Sequence, residues 1–229
     1  MLLLQAGVLF AQNSLVFKRI NVDNGLAQNT AMDILQDKQG QIWIGTFDGL
    51  SKFNGIAFNT YKNDARAPKS LSSNQVFNLM QDRENKLWIG TLNGINCYDN
   101  TTDQFIRYKL EGTSKKYSVL DIIQDSKGTI WAGTDAGLFK YDPHKPSNAN
   151  VFSKTNICND KIQCLYIDHQ DHLWIGTAQV LKIYDLHSGK LLPMPPALTA
   201  QAKLSNVIIR SIIQDHEGNY WIATETEGL

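Results

Sequence analysis

The chain has 229 residues, and its 22 Lys plus Arg are balanced by 22 Asp plus Glu, for a formal net charge of zero. That balance excludes a nucleic-acid binder driven by bulk phosphate attraction and a polyacidic tail protein. With 42% apolar and 19% charged residues the composition is that of a folded chain, and three Cys without a C-x-x-C pair argue against a disulfide scaffold or a zinc module.

Residues 1–11, MLLLQAGVLFA, are too short to cross a bilayer, which takes about 20 apolar residues. They resemble the apolar core of a secretory signal peptide. No Lys or Arg precedes the run, so we read a signal remnant with Met1 inside the true signal and a mature chain that starts near Gln12. The alternative reading is a buried first strand. Residues 15–20, LVFKRI, read as a lone outer strand ahead of the first repeat.

From there the chain repeats itself. LQDKQGQIWIGTFDGL is followed by MQDRENKLWIGTLNGI, IQDSKGTIWAGTDAGL, YIDHQDHLWIGTAQVL and IQDHEGNYWIATETEGL. Asp37, Asp82, Asp125, Asp168 and Asp215 each precede a Trp by six residues (Trp43, Trp88, Trp131, Trp174, Trp221), and every Trp of the protein occupies this slot. Successive Asp residues are 45, 43, 43 and 47 positions apart.

Each unit has the same physical reading. A short apolar, β-branched run such as AMDILQ (31–36) is a strand. A turn follows whose fourth residue is Gly40, Asn85, Gly128, Asp171 or Gly218, the residue types that tolerate positive φ. Its Asp is placed to accept from the backbone N–H groups of that turn. The next strand, such as QIWIGT (41–46), is apolar on consecutive positions and therefore buried on both faces. Gly45, Gly90, Gly133, Gly176 and Ala223 leave room for a bulky side chain of a neighbouring sheet. A third strand (LSKFN, INCYD, LFKYD, LKIYD) and a weaker fourth (IAFNTYK, QFIRYKL, NVFSK, KLLPM) complete the unit.

Four short strands per roughly 44 residues are the pattern of propeller blades. The fold class is all-β: a β-propeller of four-stranded antiparallel blades. About five units are present, at roughly 21–61, 71–109, 115–153, 160–192 and 204–229. The set is incomplete and is expected to be part of a seven-bladed propeller, so residues 12–229 read as a partial propeller from a longer protein. Trp43 is expected to be less covered than Trp88, because its blade lies at an open end. Val180 replaces the usual Gly in unit four, so the loop after Thr177 is expected to differ in shape.

The pattern D-x-x-G-x-[IL]-W-[IA]-G-T-x-x-G-[IL] and the opening NVDNGLAQNTAMDI (21–34) resemble the two-component regulator propeller repeat over residues 15–229. The resemblance implies the periplasmic sensor region of a hybrid two-component histidine kinase, in which the kinase reaction belongs to domains outside this segment. It further implies a membrane span C-terminal to the segment, a homodimeric parent, and transcriptional regulation in response to carbohydrate. The alternative is a secreted propeller scaffold or adhesin without a kinase.

No motif for nucleophilic, metal or phosphate chemistry is present, so neither a catalytic residue, a cofactor nor a metal site is assigned. The five His read as turn or loop residues, and Cys97, Cys158 and Cys164 as reduced thiols, with a 158–164 bond as the alternative. An enzyme reading survives only because a propeller funnel needs no local motif. Up-and-down strand order puts the turns after each second strand on the same face as the loops entering each first strand. That face carries the candidate ligand-binding residues Asn29, Phe47, Asp48, Asn74, Asn93, Tyr117 and Asp135. Their side chains suit an oligosaccharide or another small ligand, because they hydrogen-bond and stack.

Overall fold

The computed structural model describes residues 17–112, 116–144, 150–196, 198 and 207–226. The signal remnant and residues 15 and 16 of the expected lone strand lie outside them. Residues 17–20 are not a strand, which corrects the expectation for the rest of that segment. A strand is held by ladder hydrogen bonds, and none of the described strands pairs with residues 17–20. The chain instead enters a short 3-10 turn at Val22–Asn24, capped by the Asn21 side chain and closed by Gly25 in the left-handed region.

Four blades follow. The first comprises β1 (Ala31–Gln36), β2 (Ile42–Thr46), β3 (Gly49–Phe53) and β4 (Phe58–Tyr61). The second comprises β5 (Val76–Gln81), β6 (Leu87–Thr91), β7 (Gly94–Asp99) and β8 (Gln104–Leu110). The third holds β9 (Val119–Gln124), β10 (Ile130–Thr134), β11 (Gly137–Tyr141) and β12 (Val151–Lys154). The fourth holds β13 (Ile162–Ile167), β14 (His172–Thr177), β15 (Leu181–Asp185) and β16 (Lys190–Leu192). A fifth unit contributes the hairpin β17 (Ile209–Gln214) and β18 (Tyr220–Thr224). Within each blade consecutive strands pair antiparallel, and the innermost strands β1, β5, β9, β13 and β17 lie beside one another in chain order. This is an all-β partial propeller. Among the described residues no helix is long and apolar enough to cross a membrane.

The turn between the first two strands explains the Asp and its fourth residue. Gly40, Gly128 and Gly218 have φ of 81, 88 and 89°, and Asn85 and Asp171 have φ of 67 and 60°. Asp37 Oδ1 accepts from the backbone N–H of Gln39 and Gln41, and Asp125, Asp168 and Asp215 repeat the pair in their own turns. The second carboxylate oxygen accepts from the indole Nε1 six residues on. That distance is 2.8 Å at Trp43, Trp88, Trp131 and Trp174 and 3.0 Å at Trp221. One side chain thus closes the hairpin and fixes the indole.

The first four indoles then pack on the following blade. Trp43 joins Val76, Leu79, Leu87 and Ile89; Trp88 joins Val119 and Ile122; Trp131 joins Ile162, Leu165 and Leu173; Trp174 joins Ile209 and Ile212. Trp43 is therefore 1% exposed, contrary to the expectation from its place in the first blade. The open face of that blade is the opposite one, where Ile34 is 66% exposed. The small slot has the role the sequence suggested. A Cβ on Gly45 would lie 2.7 Å from Val76 Cγ1, and one on Gly133 would lie 2.6 Å from Ile162 Cγ2.

One pairing departs from the repeat. β8 and β12 run parallel and hydrogen-bond at Lys109↔Val151 and Leu110↔Phe152, so blades two and three share one eight-stranded sheet at their outer edges.

Candidate functional site

The turns between second and third strands are locked by their Thr. Thr46, Thr91 and Thr134 are fully buried; each donates to the carbonyl of the Gly three residues on and accepts from the N–H two residues on. In unit four Thr177 Oγ1 donates to the Val180 carbonyl and accepts from both Gln179 and Val180 N–H. β15 begins at Leu181, one residue later than its counterparts, which is the altered loop expected there.

These turns meet the entering loops on one face, the first through the loop of the next blade and the others through the loop of their own blade. Gly49 N–H donates to the Asn74 carbonyl (2.7 Å), Leu92 to Gln75 (3.0 Å), Asp135 to Ser118 (3.1 Å) and Glu225 to Ile208 (3.0 Å). Phe47, Asp48 and Asn74 gather between blades one and two. Asp48 accepts from Lys62 Nζ at 2.6 Å and Asn74 Nδ2 at 3.0 Å, and the Lys62 hydrogen bond holds its carboxyl below the usual carboxylate value. Phe47 meets Phe77 edge-on at 6.3 Å. Asp135 stands exposed in the turn after β10. Asn29 stands apart from this face: its side chain accepts from Val22 N–H and it borders the open face of blade one, beside Met32 and Ile34.

Asn93 and Tyr117 come together between blades two and three. They line a cleft of about 470 Å³ with Gly94, Tyr108, Lys109, Glu111, Gly112 and Lys116. Tyr117 packs on the core of this junction and its ring lies 6.4 Å from Phe139. The parallel β8–β12 pair forms the outer border of the cleft.

Sequence reasoning missed two groups. Lys182, on β15, donates to Asp160 Oδ2 at 2.7 Å in the loop entering blade four and lies 3.7 Å from Cys158 Sγ. The second group lies on the innermost strands, where each ladder skips one residue and aims the next at the following blade. Asp33 Oδ2 accepts from Leu79 N–H at 2.7 Å, Asn78 Oδ1 from Ile122 N–H at 3.1 Å, and Asp121 Oδ2 from Leu165 N–H at 2.7 Å; Asn78 Nδ2 also donates to Asp121 Oδ1 at 3.0 Å. Burial pushes the Asp121 carboxyl up to about 7, the two backbone donors oppose this, and the Asp33 charge adds to it. The available signal was a polar third residue in AMDILQ, VFNLMQ and VLDIIQ.

All three cysteines are free and buried. Burial pushes the Cys97 and Cys164 thiols up to about 12, which removes them from thiolate chemistry near neutral pH. Among the described residues no group of three or more His, Cys, Asp or Glu could hold a metal ion.

The profile of the Two component regulator propeller family matches residues 25–48, 70–93, 114–136, 156–179 and 203–226, together more than half of the chain. The chain belongs to that family. The five matches run from each entering loop through the Asp turn and the Trp strand to the Thr-locked turn, which are the parts that build the face described above. Histidine kinase P4 of Formosa agariphila is 49% identical over 63 residues, 27% of this chain and 5% of that protein. The extracellular domain of BT4673 of B. thetaiotaomicron, named as a one component system, superposes with a TM-score of 0.74 at 22% identity, over 90% of this chain and 30% of that one. That of BT3049, named as a hybrid two component system, gives 0.60 at 22% identity over 92% and 34%. The chain thus spans about a third of these structures and a twentieth of the kinase, and the two structures share its fold.

Proposed function

We propose that this propeller is the extracytoplasmic ligand-sensing part of a hybrid two-component sensor histidine kinase. The observation that carries the reading is the family match in all five repeats; the 49% identity to a histidine kinase over 63 residues supports it. In this reading the segment lies in the periplasm after removal of its signal, the kinase and a membrane span follow it in the parent, and the parent is a homodimer. The signal is a carbohydrate or another small polar ligand read on the face of Phe47, Asp48, Asn74, Asn93, Tyr117 and Asp135. Rigid blades suit this task, since loops on a stiff scaffold hold polar groups in fixed places. The test is autophosphorylation of the complete protein in membrane vesicles, with a panel of oligosaccharides added on the propeller side. A change in phosphoprotein with one member of the panel is the expected result. A complete protein that takes up no phosphate, or takes it up without regard to any added sugar, overturns the reading; the former outcome favours a scaffold or adhesin.

A further inference from the structure

The repeat allows its junctions to be compared slot by slot. Gly49, Gly94 and Gly137 open the third strands of blades one, two and three. A Cβ at Gly49 would lie 2.9 Å from the Tyr61 carbonyl and 3.3 Å from Ala27 Cβ, and one at Gly137 would run into the Cys158 backbone. Among the described residues, at Gly94 only the Tyr108 carbonyl lies within reach, at 3.8 Å, and at Gly112 nothing lies within 4 Å. The first and third slots are thus filled by protein, whereas at the second no described residue fills the space over the backbone. It is there that the outer strands β8 and β12 pair and border a cleft. Bare glycine backbone lets a flat ring approach closely. Tyr117 supplies an aromatic wall, Asn93 an amide, and Lys109 and Lys116 two ammonium groups against the single carboxylate of Glu111. Convergent polar groups around an aromatic wall in a cavity of this size are the marks of a small-molecule site.

We propose that this cleft binds a sugar carrying a carboxylate or sulfate, seated over Gly94 and Gly112 against Tyr117, with its charge toward Lys109 and Lys116. The proposal rests on the ligand-sensing reading and names the ligand class and the junction that takes it. At the first and third junctions the lysines are already engaged: Lys62 and Lys182 are each paired with a carboxylate, Asp48 and Asp160.

The experiment titrates the complete protein with trigalacturonate, with its neutral methyl ester, and with a sulfated disaccharide, by calorimetry. Each titration is repeated on Lys109→Ala/Lys116→Ala, Tyr117→Ala and Tyr117→Phe. We expect an acidic probe to bind at least about tenfold more tightly than the ester, a step of about 1.4 kcal/mol. We expect the double lysine change to remove that preference, Tyr117→Ala to weaken binding of every probe, and Tyr117→Phe to retain it. Which acid binds separates carboxylate from sulfate recognition. Equal binding of acid and ester, or acid binding untouched by the lysine and Tyr117→Ala changes, overturns the cleft assignment and leaves sensing intact. Binding that follows the expected pattern, with phosphorylation unaffected by the same probe, keeps the cleft and overturns the sensing reading. Failure of all three probes to bind overturns the cleft assignment.

Discussion

Trp88 and Trp221 hold the same slot of the same repeat, yet the first is 1% exposed and the second 50%. Both indoles donate to their own turn Asp, at 2.8 and 3.0 Å. The hairpin therefore forms in the same way in both places, and the difference is the cover. Trp88 lies under the third blade, whereas no described blade lies beyond β18. The first blade shows the complementary half of the junction: Ile34 is 66% exposed, but Leu79, Ile122, Leu165 and Ile212 in its slot are 3–6% exposed. Local hydrogen bonds shape the unit, and burial by the next unit supplies most of its stability, as expected for repeat folds.

The comparison can be broken most sharply at the indoles. Trp88→Ala removes a buried ring and an Asp82 partner, and should cost about 3–5 kcal/mol; Trp221→Ala should cost less than about 1 kcal/mol. Urea melts of the two variants check both values, and equal losses would remove the distinction. The next effect is at the small slot. Gly133→Ala drives a methyl against Ile162 and should cost about 1–3 kcal/mol, while Ala223 already carries that methyl without a facing strand among the described residues.

A third prediction concerns the inner clasp. The Asp121 carboxyl titrates near 7 in the folded protein against an ordinary 3.8. A raised acid favours the protonated folded state, so its contribution is fully present below about pH 4 and is lost as pH rises through 7. Urea midpoints should fall across that window, and Asp121→Asn should flatten the fall. An unchanged slope in the variant would mean that Asp121 is not the group responsible. Ile34→Ser should have the smallest effect on stability, within about 0.5 kcal/mol. It should nevertheless reduce concentration-dependent association of the chain measured by sedimentation, because exposed apolar sheet faces drive such contacts.

Much of this was legible in the sequence because the repeat samples each slot five times. A Gly that alternates only with Ala, and a turn position filled only by Gly, Asn or Asp, announce a packing limit and a positive φ. Other features depended on geometry that spacing does not carry. The six-residue interval from Asp to Trp was plain, but its hydrogen bond appears only once the hairpin brings the two side chains to one edge. The face of each blade that looks forward was not legible either, so Trp43 was expected at an open end and lies instead under blade two. The candidate site was legible as a face and not as a cleft. Asn93 and Tyr117 line one cleft, and its outer border is set by β8 pairing in parallel with β12, a contact between two weak outer strands that no local pattern encodes. Asn29 falls on the same side of its strand order but is drawn to Val22 and the open face of blade one.

The central claim is that Trp43, Trp88, Trp131 and Trp174 are each covered by the blade that follows. Acrylamide quenching of tryptophan emission tests it directly, since Trp43, Trp88, Trp131 and Trp174 are 1–4% exposed and Trp221 is 50% exposed. The account predicts one readily quenched component that disappears in Trp221→Phe and persists in Trp43→Phe and Trp88→Phe. Loss of that component in Trp43→Phe, or uniform quenching of all five indoles, would contradict it.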